Sequence, residues 1–134
     1  MSETITKNDL KAILDEVLLP PLTVESLTAT ITPTTGTLKG YDLYKYGKVV
    51  QLFLRVQKSS TTASGANIFT ATFDTEKLRP ITTVTSAIFY GAYTITGNFT
   101  SAGVINIRNS NASTFNALTG DNLLGICFTY ILAS

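Results

Sequence analysis

Histidine is absent from this chain and cysteine occurs once, so any side-chain chemistry rests on carboxylates, amides and aromatic rings. Without an imidazole there is no Ser-His-Asp or Cys-His nucleophile, and the commonest metal ligand is missing. A single thiol cannot build a structural zinc site. Neither GxGxxG nor GxxxxGK[ST] occurs, so the usual phosphate-cradling loops are not encoded. The remaining catalytic arrangement is a carboxylate pair flanking a glycosidic bond, drawn from Asp74 or Glu76 with Asp42 or Asp121. Lys77 and Arg79 lie beside the first two, and a solvated charged corner explains that cluster more simply. The expectation is a chain with no enzymatic activity, no cofactor and no metal.

Binding is the chemistry these residues suit better. Saccharides are held by aromatic faces with planar polar partners, and Tyr90, Tyr93, Asn98, Asn109 and Asn111 supply both types. Phe99 and Asn122 add to the set. Each has a plainer role available, since strand tyrosines ordinarily pack and loop asparagines ordinarily form turns.

Strands must position these groups. Thr is abundant and charged residues make up 14% of the chain, against about 25% in an ordinary globular protein. That balance favours β structure and a surface of Thr, Ser and Asn. So lightly charged a surface opposes association weakly, and areas covered by partner subunits are expected. The net charge of +1, with Lys and Arg scattered, offers no basic stripe for nucleic acid. No apolar run reaches the roughly 18 residues of a membrane span, and no signal-peptide pattern opens the chain. A soluble protein made in a cytoplasm is expected.

The stretch from Tyr41 to Gln57 anchors the strand reading. Val50, Leu52, Leu54 and Val56 alternate with Gln51, Phe53, Arg55 and Gln57, as a strand with one apolar face requires. Leu38 to Tyr46 pairs with it across Gly47. Further strands are expected over residues 24–31, 66–73, 84–90, 92–96, 104–108 and 122–132. Thr32 to Gly36 and Lys58 to Gly65 read as loops, residues 97–103 as a turn region, and Asn109 to Thr119 as an Asn/Ser-rich loop. The last strand is apolar on both faces: Leu124, Ile126, Phe128, Tyr130 and Leu132 on one, and Leu123, Cys127 and Ile131 on the other. Burial on both sides is therefore expected, with Cys127 a small buried hydrophobe.

One helix precedes the strands. Thr6 and Asp9 form a capping-box-like pair, Ile5 and Leu10 a hydrophobic staple, and Pro20-Pro21 the stop. Leu10, Ile13, Leu14, Val17 and Leu18 share one face. That face must be buried, either on its own sandwich or against the same helix of sister subunits. The expected organisation is a helical segment over residues 1–21 and an antiparallel, jelly-roll-like all-β sandwich over residues 22–134.

The run GKVVQLFLRVQ, then a Ser/Thr loop, then LRP, then Gly103 to Arg108 and a terminal apolar strand, resembles the receptor-binding heads of phage tail fibres and baseplates. The opening TKNDLKAILDEVLLPP is similar to the start of small phage tail proteins. The resemblance covers residues 47–132 and implies a homotrimeric β head in a virion tail tip. Its partners would be other tail or baseplate proteins and a host cell-surface saccharide, with no nucleic acid and no membrane insertion. No binding residue of that family has a matching motif here, so the resemblance implies a fold and a role but no site. The chain also lacks the long shaft of a typical fibre. Two other classes stay open: a structural tail or capsid decoration protein without a ligand, and a non-viral trimer of the tumour-necrosis-factor or C1q type.

Overall fold

In the computed structural model, residues 6–13, 23–90, 93–111, 113–118 and 122–133 are described. Two antiparallel sheets face each other. The first has the order β1 (Val24–Ser26), β3 (Thr37–Tyr46), β4 (Val49–Gln57) and β9 (Leu124–Ile131). The second has the order β2 (Ile31–Thr35), β5 (Asn67–Phe73), β8 (Val104–Asn109), β7 (Tyr93–Phe99) and β6 (Val84–Tyr90). The chain is an all-β sandwich, as its alternation implies.

Alternation builds the core directly. Val50, Leu52, Leu54 and Val56 of β4 are buried, and so are Leu124, Ile126, Phe128 and Tyr130 of β9. Phe99 sits at the centre, with ring centroids 5.0 Å from Phe73, 5.8 Å from Phe128 and 5.2 Å from Tyr130. Tyr130 donates its hydroxyl to the carbonyl of Leu78 at 2.6 Å, so its polar end is satisfied where water is excluded.

The chain changes sheet between β2 and β3 at Gly36, which has φ +78°. A Cβ there would lie 2.7 Å from the carbonyl oxygen of Ile68, so the corner needs glycine for conformation and for space. Residues 24–31, expected as one strand, divide into β1 and the start of β2, because Leu27 to Thr30 cross from one sheet to the other. The Thr-Pro-Thr-Thr run expected as a loop belongs to β2. Pro33 is tolerated because β2 is an edge strand and the ladder is bulged between Pro33 and Thr35.

Three other departures have simple causes. Ile68 and Phe69 are both buried because a bulge between Asn67 and Phe69 interrupts the alternation. Strand β7 runs on through Asn98 and Phe99, and the turn begins at Thr100, closed by Gly103 at φ +86°. Strand β9 is not buried on both sides: it is an edge strand, Ile131 is 54% exposed, and Cys127 is only partly covered.

A capping box opens helix α1 (Lys7–Ile13). Asp9 donates its amide to the Thr6 hydroxyl at 3.2 Å, and Thr6 donates its own to the Asp9 carboxylate at 3.4 Å. Leu10 on the apolar stripe is 51% exposed. Ile5, Leu14, Val17, Leu18 and Pro20-Pro21 lie outside the described residues. Among the described residues no helix is long and apolar enough to cross a membrane.

Candidate functional site

Cross-strand partners share a sheet face, so the register of the four-stranded sheet sorts its outer surface into rows. One row is apolar apart from a hydroxyl: Val24, Tyr46, Val49 and Ile131. Val24 and Ile131 are more than half exposed, and Val49 is 39% exposed. The next row is polar, with Ser26, Tyr44, Gln51 and Thr129. Beyond it come Asp42, Phe53 and Cys127, and then Gly40, Arg55 and Gly125. The apolar end and the charged end of this face are thus separated by a polar band.

The hairpin at Gly47 sets the charged end: from Tyr46↔Val49 the ladder of β3 and β4 runs unbroken to Gly40↔Arg55, which puts Asp42 and Arg55 on one outer face. Beyond Gly40 the ladder shifts, leaving Lys39 without an opposite number and setting Leu38 across from Val56. Without that shift Lys39 would oppose Val56 and Leu38 would turn outward, since one step of register exchanges the faces. Arg55 donates from Nη1 to Asp42 Oδ2 at 2.7 Å. The guanidinium lies over Gly40, where a Cβ would come 2.7 Å from Nη2.

On the other side of Arg55 the site is open. A Cβ on Gly125 would meet nothing within 4 Å. The result is a groove of about 330 Å³ bordered by Asp42, Phe53, Arg55, Gly125, Cys127 and, from the second sheet, Ile88. Phe53 is 37% exposed, and Tyr44 meets its ring edge-on at 6.3 Å. Backbone groups reach the groove as well. Leu132 donates its amide toward β4, to Lys48 O, while Ile131 O accepts from Ile81 on the other side. By the alternation of an antiparallel ladder, Gly125 and Cys127 therefore turn their amides and carbonyls away from β4. Among the described residues no strand pairs with that edge.

The groove can hydrogen-bond and stack. Arg55 and Asp42 are 42% and 47% exposed, and a pair so solvated contributes about 0–1 kcal/mol to stability. Its planar groups are free to meet a ligand at little structural cost. A second cleft, of about 460 Å³, is bordered by Glu25, Lys45 and Lys77 with Leu27, Leu78 and Leu132. It has neither an aromatic face nor a planar ion pair.

Of the residues singled out from sequence, Tyr90 and Tyr93 are direct cross-strand partners, Asn109 pairs with Ile95 of β7 and bonds to Asn111 near the same end of the second sheet, and Asn98 stands apart. Asn98 lies on the outer face of the five-stranded sheet, where its amide oxygen accepts from Thr85 at 2.9 Å. Tyr93 packs edge-on against Phe115 at 4.9 Å. Asn109 is fully buried; its Nδ2 donates to the carbonyls of Ser113, Ala63 and Thr62 at 2.9, 3.3 and 3.4 Å. Asn109 is therefore a loop clamp and is closed to a saccharide. Asn111 belongs to the same loop, giving its amide to Asn109 Oδ1 at 3.1 Å. Tyr90 ends β6, and its side chain lies outside the description, as does Asp121. Phe99 is core, and Asn122 lies on the connection into β9, with its carbonyl accepting from Gln57 at 3.3 Å.

Among the described residues, Asp42 and Asp74 do not form a carboxylate pair. Asp42 faces Arg55, while Asp74 accepts from the Thr32 hydroxyl at 2.6 Å beside the other sheet. Among the described residues no group of three metal-ligating side chains occurs. Apart from Asp42, named from sequence only as a possible catalytic carboxylate, the groove residues were missed because they are distant in sequence and carry no motif. The available signal was glycine inside a strongly apolar strand, at Gly125, which often marks close approach of a ligand.

No family model and no curated protein matches this sequence.

Proposed function

We propose that this chain is a non-enzymatic receptor-binding head of a phage tail or baseplate, acting as a homotrimer on a host cell-surface saccharide. The observation that carries the reading is the open groove, where an exposed aromatic ring, a solvated Arg–Asp pair and unpaired strand backbone converge. Those are the groups that hold sugars, and they sit on a sandwich with no catalytic constellation among its described residues. The resemblance of residues 47–132 to such heads supplies the biological setting.

A second reading has its own support. The apolar row of Val24, Tyr46, Val49 and Ile131 suits an assembly contact, as a purely structural tail or capsid component would need. Retention of the full chain on intact bacterial cells and on purified cell-wall polysaccharide separates the two. A receptor-binding head is retained saturably, with weak sites strengthened by multivalency. Passage through both matrices unretained would leave the structural component.

A further inference from the structure

Arg55 has glycine as its direct partner on both neighbouring strands, Gly40 on β3 and Gly125 on β9. A long strand in the middle of a sheet gains nothing in stability from this. Glycine in a strand loses more entropy on folding than other residues and contributes no packing. Neither position needs glycine for its backbone, since φ is positive only at Gly36, Gly47, Gly65 and Gly103 among the described residues. The two absent side chains do different things. At Gly40 the space is taken by the Arg55 guanidinium itself, and at Gly125 it is left empty.

We infer that the space over Gly125 is the seat of a single neutral sugar ring, bound through a vicinal diol. The inference rests on the saccharide reading above and assigns it a site and a ligand chemistry. A volume of about 330 Å³ is at the small end of ligand pockets, which run from about 300 to 1,000 Å³; it fits one ring and not an extended chain. Asp42 offers Oδ1 as acceptor while Oδ2 holds Arg55. Arg55 keeps donors beyond the Nη1–H engaged by Asp42. Adjacent hydroxyls of a pyranose match this pair, one donating to the carboxylate and its neighbour accepting from the guanidinium. Charge selects against an anionic sugar, because Asp42 already neutralises Arg55 and an added carboxylate would face Asp42. Phe53 supplies an apolar wall for the ring's C–H face, and the outward amides and carbonyls of Gly125 and Cys127 can satisfy further hydroxyls.

The test uses the full chain and a panel of glucose, mannose, galactose and N-acetylglucosamine, with glucuronate as the anionic comparator. Binding is read by saturation-transfer NMR and by protection of Cys127, the sole cysteine, from a small thiol reagent. At least one neutral sugar should bind and slow the labelling of Cys127, with glucuronate weaker. Gly125→Val fills the space with a residue that strands favour; it should leave the thermal melt unlowered and weaken the bound sugar by about tenfold or more. Asp42→Asn uncovers the Arg55 charge and should turn the preference toward glucuronate, a change that a merely structural pair would not give.

Neutral-sugar binding that survives Gly125→Val overturns the site. Equal or tighter binding of glucuronate by the unmodified chain overturns the neutral-diol assignment, and so does an absence of binding by every sugar in the panel. Cell retention that persists in the Gly125→Val chain removes the groove while leaving the receptor-binding reading intact. Absence of retention by the unmodified chain removes that reading itself.

Discussion

Arg55 of β4 and Gly125 of β9 are direct cross-strand partners, and the place where a side chain at Gly125 would stand is empty. The same glycine that opens this groove removes a side chain from an edge strand whose inner face is fully committed to the core. The two faces of β9 thus have separate duties, and substitutions on one should be legible apart from those on the other.

At Gly97 the side chains of the facing sheet leave no room for a Cβ. A Cβ there would come 2.8 Å from Cζ of Phe128 and would also collide with Cδ1 of Ile126. Gly97→Ala is expected to cost about 1–3 kcal/mol by overpacking, measured by urea unfolding. Adding Ile126→Val, which removes the colliding methyl, should recover part of that loss. A double variant no more stable than Gly97→Ala would show that the Phe128 ring sets the limit.

Asn109 clamps the loop that follows β8 by donating one amide group to carbonyls on two chain segments. Asn109→Ala leaves buried acceptors without a donor, at about 1–3 kcal/mol. Amide exchange should quicken first at Thr62 and Phe115, whose backbones pair across that loop at 2.7 Å. Unchanged exchange there would mean that the loop holds without its clamp.

Tyr130 predicts a pH dependence. Burial raises its phenol well above the ordinary value of 10.0. In the unfolded chain it ionises near pH ~10, while in the folded chain it stays protonated. Its contribution is complete below pH ~10 and is lost as pH rises beyond that, by up to about 1.4 kcal/mol per unit. Tyr130→Phe should lower stability by about 1–3 kcal/mol at neutral pH, because Leu78 loses its donor. It should also flatten the alkaline fall in urea-unfolding free energy. An equally steep fall in both chains would place the alkaline sensitivity elsewhere.

The proposed homotrimer makes the apolar row a contact. Light scattering behind size exclusion should give three times the 14.4 kDa chain mass. Ile131→Lys, at a position 54% exposed in the single chain, should return the mass to 14.4 kDa with the β circular dichroism unchanged. A monomeric unmodified chain would remove both the trimer and the role of this row.

Much of the architecture was legible in the residues themselves. The alternation over Val50 to Val56 places β4, Gly47 places the hairpin into it, and Thr6 with Asp9 places the start of the helix. These are local signals, because period, turn conformation and capping each depend on a few neighbouring residues. The groove is not of that kind. It depends on the register of β3 against β4, which sets Asp42 beside Arg55, and on a pairing that brings Gly125 to Arg55 from 70 positions away. Register and sheet order are decided by burying Phe99, Phe128 and Tyr130 together, a condition on the whole chain. The same condition drew Asn109 inside and left the second face of β9 open. Alternation specifies that a strand has two faces, and only the packing of the sheets decides which face meets water.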